Sequence, residues 1–158
     1  MKAATLSEIK AELKTLPPAQ LMDICLHLAK FRKDNKELLT YLLFEAQDEA
    51  AYVKGTKDFI SEQFDEINRS NIYYAKKTIR KILRTTAKFI KYSGSRQTET
   101  ELLIFFCKKL KHSGINISSS TALMNLYERQ IHKIEKALAT MHEDLQFDYR
   151  EELENLKM

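Results

Sequence analysis

Glycine and proline are nearly missing from this sequence: 158 residues hold only Gly55, Gly94, Gly114, Pro17 and Pro18. An all-β sandwich or barrel needs turn residues every ~8–12 positions, and a doubly wound α/β fold places glycine at its βα turns. Both classes are excluded on this count, which leaves an all-α chain. Cysteine is as sparse. Cys25 and Cys107 show neither CxxC spacing nor the number needed for a disulfide framework. Both fall within apolar helical patterns and read as small core residues in a reducing compartment. Long hydrophobic runs are absent too: Leu102–Cys107 is the strongest, far short of the ~20 residues that span a bilayer. Residues Met1–Thr5 carry no apolar core of a secretory leader. A cytoplasmic chain without membrane attachment is expected.

What is present is helical periodicity. Thr5 and Glu8 have the spacing of a capping box, opening a helix with Leu6, Ile9, Leu13 and Leu16 on one stripe. Pro17-Pro18 ends it and starts a second helix to about Arg32, with Leu21, Ile24, Cys25, Leu28 and Phe31 on one face. Asn35 is expected to cap a third helix to about Val53, closed by Gly55, and Thr56 to cap a fourth to about Asn68. Ser70 or Asn71 opens a fifth that reaches Tyr92, and Thr98 with Glu101 opens a sixth that ends near His112. The serines 118–120 cap a seventh. The remainder either continues as one helix or breaks near His142–Gln146.

Shorter helices thus begin near residues 18, 56 and 98 and longer partners near 36, 71 and 119. That rhythm lies close to the ~40–47-residue period of HEAT and armadillo units. The expected fold is therefore one all-helical domain over residues 1–158, with seven or eight helices as stacked antiparallel hairpins in a short α-α superhelix. An irregular helical bundle is the alternative, since the three units share no position-specific motif.

Acid is missing from one stretch. Between Arg69 and Thr98 there is no Asp or Glu, yet Arg69, Lys76, Lys77, Arg80, Lys81, Arg84, Lys88, Lys91 and Arg96 all fall there. Removing these nine from the total of 26 bases leaves 17 against 22 acids, so the net +4 divides into +9 here and −5 elsewhere. At 100° per residue, Ile72, Ala75, Ile79, Ile82, Leu83 and Ile90 form one stripe. Lys77, Lys81, Arg84, Lys88 and Lys91 follow the opposite side, Lys76 and Arg80 widen it, and Tyr73, Tyr74 and Tyr92 lie on it or at its edges.

Like charges three and four apart repel by about a few tenths of a kcal/mol per pair, so something must relieve the array. One solution is solvent plus acidic neighbours such as Glu45, Asp48, Glu49, Asp58, Glu62, Asp65 and Glu66. Another is an acidic protein partner, a second copy, or the chain's own acidic end, where Glu143, Asp144, Asp148, Glu151, Glu152 and Glu154 face only Arg150 and Lys157. The third is a nucleic acid, with phosphates on the cations and Tyr73 or Tyr74 stacking on bases. The expected function is a non-enzymatic interaction module that binds an acidic partner through Lys76, Lys77, Arg80, Lys81, Arg84, Lys88 and Lys91 with Tyr73 and Tyr74; nucleic acid is the alternative.

The sequence carries few signs of catalysis or metal binding. Glu128, His132, Glu135 and His142 share one side of the seventh helix, but their order does not match the Glu-x-x-His of helical carboxylate centres. They read as a solvated face. His27 reads as a boundary histidine and His112 as a favourable charge at a helix C-terminus. The chain contains no G-x-S-x-G, Walker A, G-x-G-x-x-G or H-E-x-x-H. No catalytic residue, cofactor or metal ligand is expected. A helix-turn-helix across residues 112–119 fails because the connection exceeds the usual ~3–4 residues.

Overall fold

The computed structural model describes residues 1–158. The chain is all helical, with eight α-helices and no strand. It divides into two compact units, Met1–Phe44 and Glu45–Met158.

The first unit contains α1 (Leu6–Leu13), α2 (Pro18–Phe31) and α3 (Lys33–Thr40), followed by a π-helical turn at Tyr41–Glu45. The capping box forms as expected: Thr5 N donates to Glu8 Oε2 at 2.7 Å, and Glu8 N donates to Thr5 Oγ1 at 3.3 Å. Pro18 occupies the first turn of α2, where its missing N–H costs nothing. The expected inward stripe of α2 is a correction. No residue of α1, α2 or α3 is buried, Phe31 is 73% exposed, and Cys25 is an exposed free thiol rather than a core residue. Within this unit α2 packs against α3, and one short helix does not cover the apolar face of a longer one. Asn35 does not open α3 as a cap; its Nδ2 donates to Leu28 O at 2.8 Å and ties the end of α2 to α3.

The second unit is a helical bundle of α4 (Glu49–Asp65), α5 (Ile72–Ser93), α6 (Arg96–Lys111), α7 (Thr121–Leu138) and α8 (Glu143–Leu156). The break expected at Gly55 and Thr56 does not exist. Asp48 caps α4 by accepting from Ala51 N at 3.0 Å, and the helix runs through both residues. Gly55 keeps a negative φ there, at a cost of about 1 kcal/mol relative to alanine. The start of α6 is also corrected: Ser95, not Thr98, is its N-cap, accepting from Thr98 N at 3.3 Å. Thr98 is buried and donates its hydroxyl to Glu49 at 2.5 Å. Gly94 and Gly114 adopt φ of 67° and 78°, left-handed positions that glycine takes without strain; Gly94 ends α5 and Gly114 lies within the loop after α6. The C-terminal segment is two helices, with His142 capping α8.

The centre of this unit is α6, which packs against α4, α5, α7 and α8. Its run Leu102, Leu103, Ile104, Phe106, Cys107 and Leu110 is buried on nearly every side, as an all-round apolar helix must be. The neighbours are amphipathic and turn Ile60 and Phe64, Ile79 and Ile82, Leu123 and Ile134, and Leu153 and Leu156 toward it. Polar ties fix the rim. Tyr127 OH donates to Leu156 O at 2.7 Å, Tyr52 OH to Phe89 O at 3.0 Å, and Lys57 pairs with Glu101 at 2.5 Å.

Candidate interaction surface

The site is built on α5. Asn71 starts the helix with its side chain, accepting from Tyr73 N at 2.9 Å and Tyr74 N at 3.3 Å. Ala75, Ile79, Ile82 and Thr86 are the buried side, and Leu83 and Ile90 are half-buried beside them. Ile72, expected on this stripe, is exposed because it lies at the first turn. The core side therefore fixes the helix in rotation, and the cations project from the other side.

Lys77, Arg80, Lys81, Arg84 and Lys91 are exposed, and Lys76 and Lys88 are half-buried. Lys77, Arg80, Lys81, Arg84, Lys91 and Lys76 make no ion pair. Of the acidic neighbours considered above, Asp48 caps α4, Glu49 accepts from the hydroxyls of Ser93 and Thr98, and Glu66 accepts from Gln63 Nε2. The acidic helix α8 does not neutralise the array either. It packs on α6 and α7, where Lys108 pairs with Glu152 at 2.6 Å and Lys111 Nζ donates to Asn155 O at 2.9 Å.

Tyr73 and Tyr74 are exposed and meet edge-on, with ring centroids 5.5 Å apart. Tyr92 does not join them. It turns to the opposite flank, half-buried against Phe89 with ring centroids 6.3 Å apart, in an aromatic cluster that Tyr52 and Phe59 complete from α4. The aromatic part of the surface is thus confined to the first turn of α5.

Sequence reasoning missed two cations. Arg129 and Lys133, exposed on α7, flank the groove that Arg80 and Leu83 line from α5. Their i, i+4 spacing beside the buried Leu126, Gln130 and Ile134 was a readable signal, but a single-helix wheel does not show which neighbour that flank meets. Of the expected solvated stripe, Glu128 and His132 are exposed on α7 and Glu135 is half-buried, while His142 lies beyond the helix as the cap of α8. His132 lies 3.5 Å from Glu135, a contact that carries charge on both partners only when the imidazole is protonated. No group of three or more His, Cys, Asp or Glu side chains converges anywhere in the chain. His112 is the C-cap of α6, with Nδ1 2.8 Å from Lys108 O, and His27 is exposed on α2.

The largest perturbations of ionisation lie in the core, away from these cations. Burial pushes the Cys107 thiol up to about 12, and burial together with that neighbouring thiol raises Tyr127. Both stay neutral at physiological pH, which suits packing rather than nucleophilic work. Burial also raises Tyr149, against which the hydrogen bond from Gln97 acts. No helix is long and apolar enough to cross a membrane. No protein-family model, curated protein or solved structure matches this chain.

Proposed function

We propose that this chain is a non-enzymatic interaction module that binds an acidic protein partner through the basic face of α5. One observation carries the reading. Lys77, Arg80, Lys81, Arg84 and Lys91 stand exposed along one helix without a carboxylate partner. Their mutual repulsion weakens the free helix, and an incoming polyanion relieves it while releasing counterions. Complementary charge of this kind steers encounter and selects partners more than it adds raw affinity. A cytoplasmic setting accords with two free thiols, one exposed and one buried.

A nucleic acid is the second reading, favoured by Tyr73 and Tyr74 standing exposed beside the cations. It ranks lower because the two rings meet edge-on at one end of the array, while bases stack on successive platforms along a groove. The test is direct. Fluorescein-labelled poly-glutamate and a labelled single-stranded RNA are titrated with the wild type and with the Lys81→Glu/Arg84→Glu double variant. The acidic-partner reading expects poly-glutamate to bind and the double variant to lose it. RNA binding without poly-glutamate binding transfers the site to the second reading, and binding of neither returns α5 to a solvated face.

A further inference from the structure

Two adjoining cavities of about 510 and 400 Å³ form a groove along the second unit, between α5 and α7 and over the start of α6. Its floor is aliphatic, made by Leu83, Ile90, Leu103 and Leu126, and its edges carry Arg80, Lys91, Arg129 and Lys133. Glu99, the one carboxylate lining it, is held by Arg96 at 2.7 Å, so the four cations keep their charge unanswered. Gln130 lines both cavities and is only 3% exposed. Its Nε2 donates to Leu126 O at 3.0 Å, but its Oε1 has no partner. A buried acceptor without a donor is rare in a finished interior.

The complementary surface is on the same chain. α8 turns Leu153 and Leu156 inward, and at the centre of its outer side Phe147 is 77% exposed. Glu143 and Glu151 lie one turn before and one turn after Phe147, and Glu154 follows at the next turn. Asp144 and Asp148 border them, all exposed; Arg150 lies among them, and Glu154 is paired with Lys157 at 2.8 Å. An aromatic anchor flanked mostly by acids complements, in sign, an apolar floor edged by cations. Because α8 packs by its inner face on α6 and α7, Phe147 points away from the groove of its own second unit and meets such a groove on another copy.

We infer that this chain self-associates head to tail, the outer face of α8 from one copy seating Phe147 in the α5–α7 groove of the next. The contact joins two different surfaces, so it is heterologous and extends into chains or a ring rather than closing as a symmetric pair. The inference rests on the acidic-partner reading and names a second copy as that partner. It also places Arg129 and Lys133, on α7, in the same contact as Arg80 and Lys91.

Sedimentation velocity of the intact protein over rising concentration tests it, at about 0.05 M and about 0.5 M salt, where screening differs severalfold. At low salt the mean sedimentation coefficient should climb with concentration; at high salt it should return to the monomer value. Phe147→Ala should raise the concentration for half-association about tenfold or more, and Arg129→Glu/Lys133→Glu should sediment as a monomer. The decisive mixture pairs Phe147→Asp with Arg129→Glu/Lys133→Glu. Each is monomeric alone, and together they should give a dimer and nothing larger, since only one good groove and one good α8 remain. A monomer at every concentration, or association indifferent to both substitutions, overturns the inference. If that monomer still binds labelled poly-glutamate and loses it on Lys81→Glu/Arg84→Glu, the acidic-partner reading stands without self-association. If poly-glutamate does not bind either, both fail.

Discussion

Two helices of the second unit carry dense positive charge and dispose of it in opposite ways. At the end of α6, Lys108 pairs with Glu152, Lys111 donates to a backbone carbonyl of α8, and Lys109 lies over the Phe105 ring at 5.8 Å. Each of these lysines is engaged in holding α8 or covering an aromatic. Along α5, Lys77, Arg80, Lys81, Arg84 and Lys91 engage no carboxylate. The contrast separates charge that the fold uses from charge that it only carries. A helix-docking lysine is explained by the helix it docks, whereas the α5 array has no structural beneficiary and adds repulsion along its own face.

The comparison breaks first on the buried side of α5. Ile82→Ala should lower unfolding stability by about 2–5 kcal/mol, seen as a lower urea midpoint at unchanged slope. A shift as small as that of a surface substitution would mean that α5 is not anchored through this residue. Next comes Lys81→Glu/Arg84→Glu, expected to weaken poly-glutamate at least about tenfold, since like charges brought together at a contact cost more than about 1 kcal/mol. The same variant should leave the urea midpoint within about 0.5 kcal/mol.

Alkaline pH probes the core beneath both helices. Cys107 titrates near 9.0 when exposed but is pushed up to about 12 in the fold. The unfolded chain therefore loses its proton first. The thiol's contribution is complete below pH 9 and declines as pH rises toward 12, with Tyr127 acting in the same direction. Urea midpoints measured at rising pH should fall over that window, and less steeply in Cys107→Ala. A parallel course in the two proteins would remove Cys107 from the account. Lys108→Ala should cost less, about 0.2–1 kcal/mol, because its ion pair with Glu152 is partly exposed. Lys81→Ala should be the smallest, within about 0.5 kcal/mol of the wild type in either direction.

Much of this was legible in the residues. The Thr5–Glu8 box, Pro18 at a helix start and Asn71 before α5 each act through local geometry that a few neighbouring positions contain. The stripe Ala75, Ile79 and Ile82 and the opposing cations also follow from one helix alone. Competition between local signals was not legible. Asp48 outweighs Gly55 and Thr56 as the start of α4, because burial of Val53, Thr56 and Ile60 on one continuous face favours the uninterrupted helix. Tertiary cover was not legible either: the apolar face of α2 resembles that of α5, yet only α5 finds a core. Arg129 and Lys133 join the basic surface because α7 and α5 line one groove, which no pattern within α7 encodes.

The central claim is that the position of the α5 charges, rather than the amount of charge, makes the binding surface. Labelled poly-glutamate binding to Lys81→Glu/Arg84→Glu and to Lys108→Glu/Lys109→Glu tests it, since both variants change net charge equally. The account predicts that reversal on α5 abolishes binding while reversal on α6 leaves most of it, even as α8 loosens. Equal loss in both variants would contradict it.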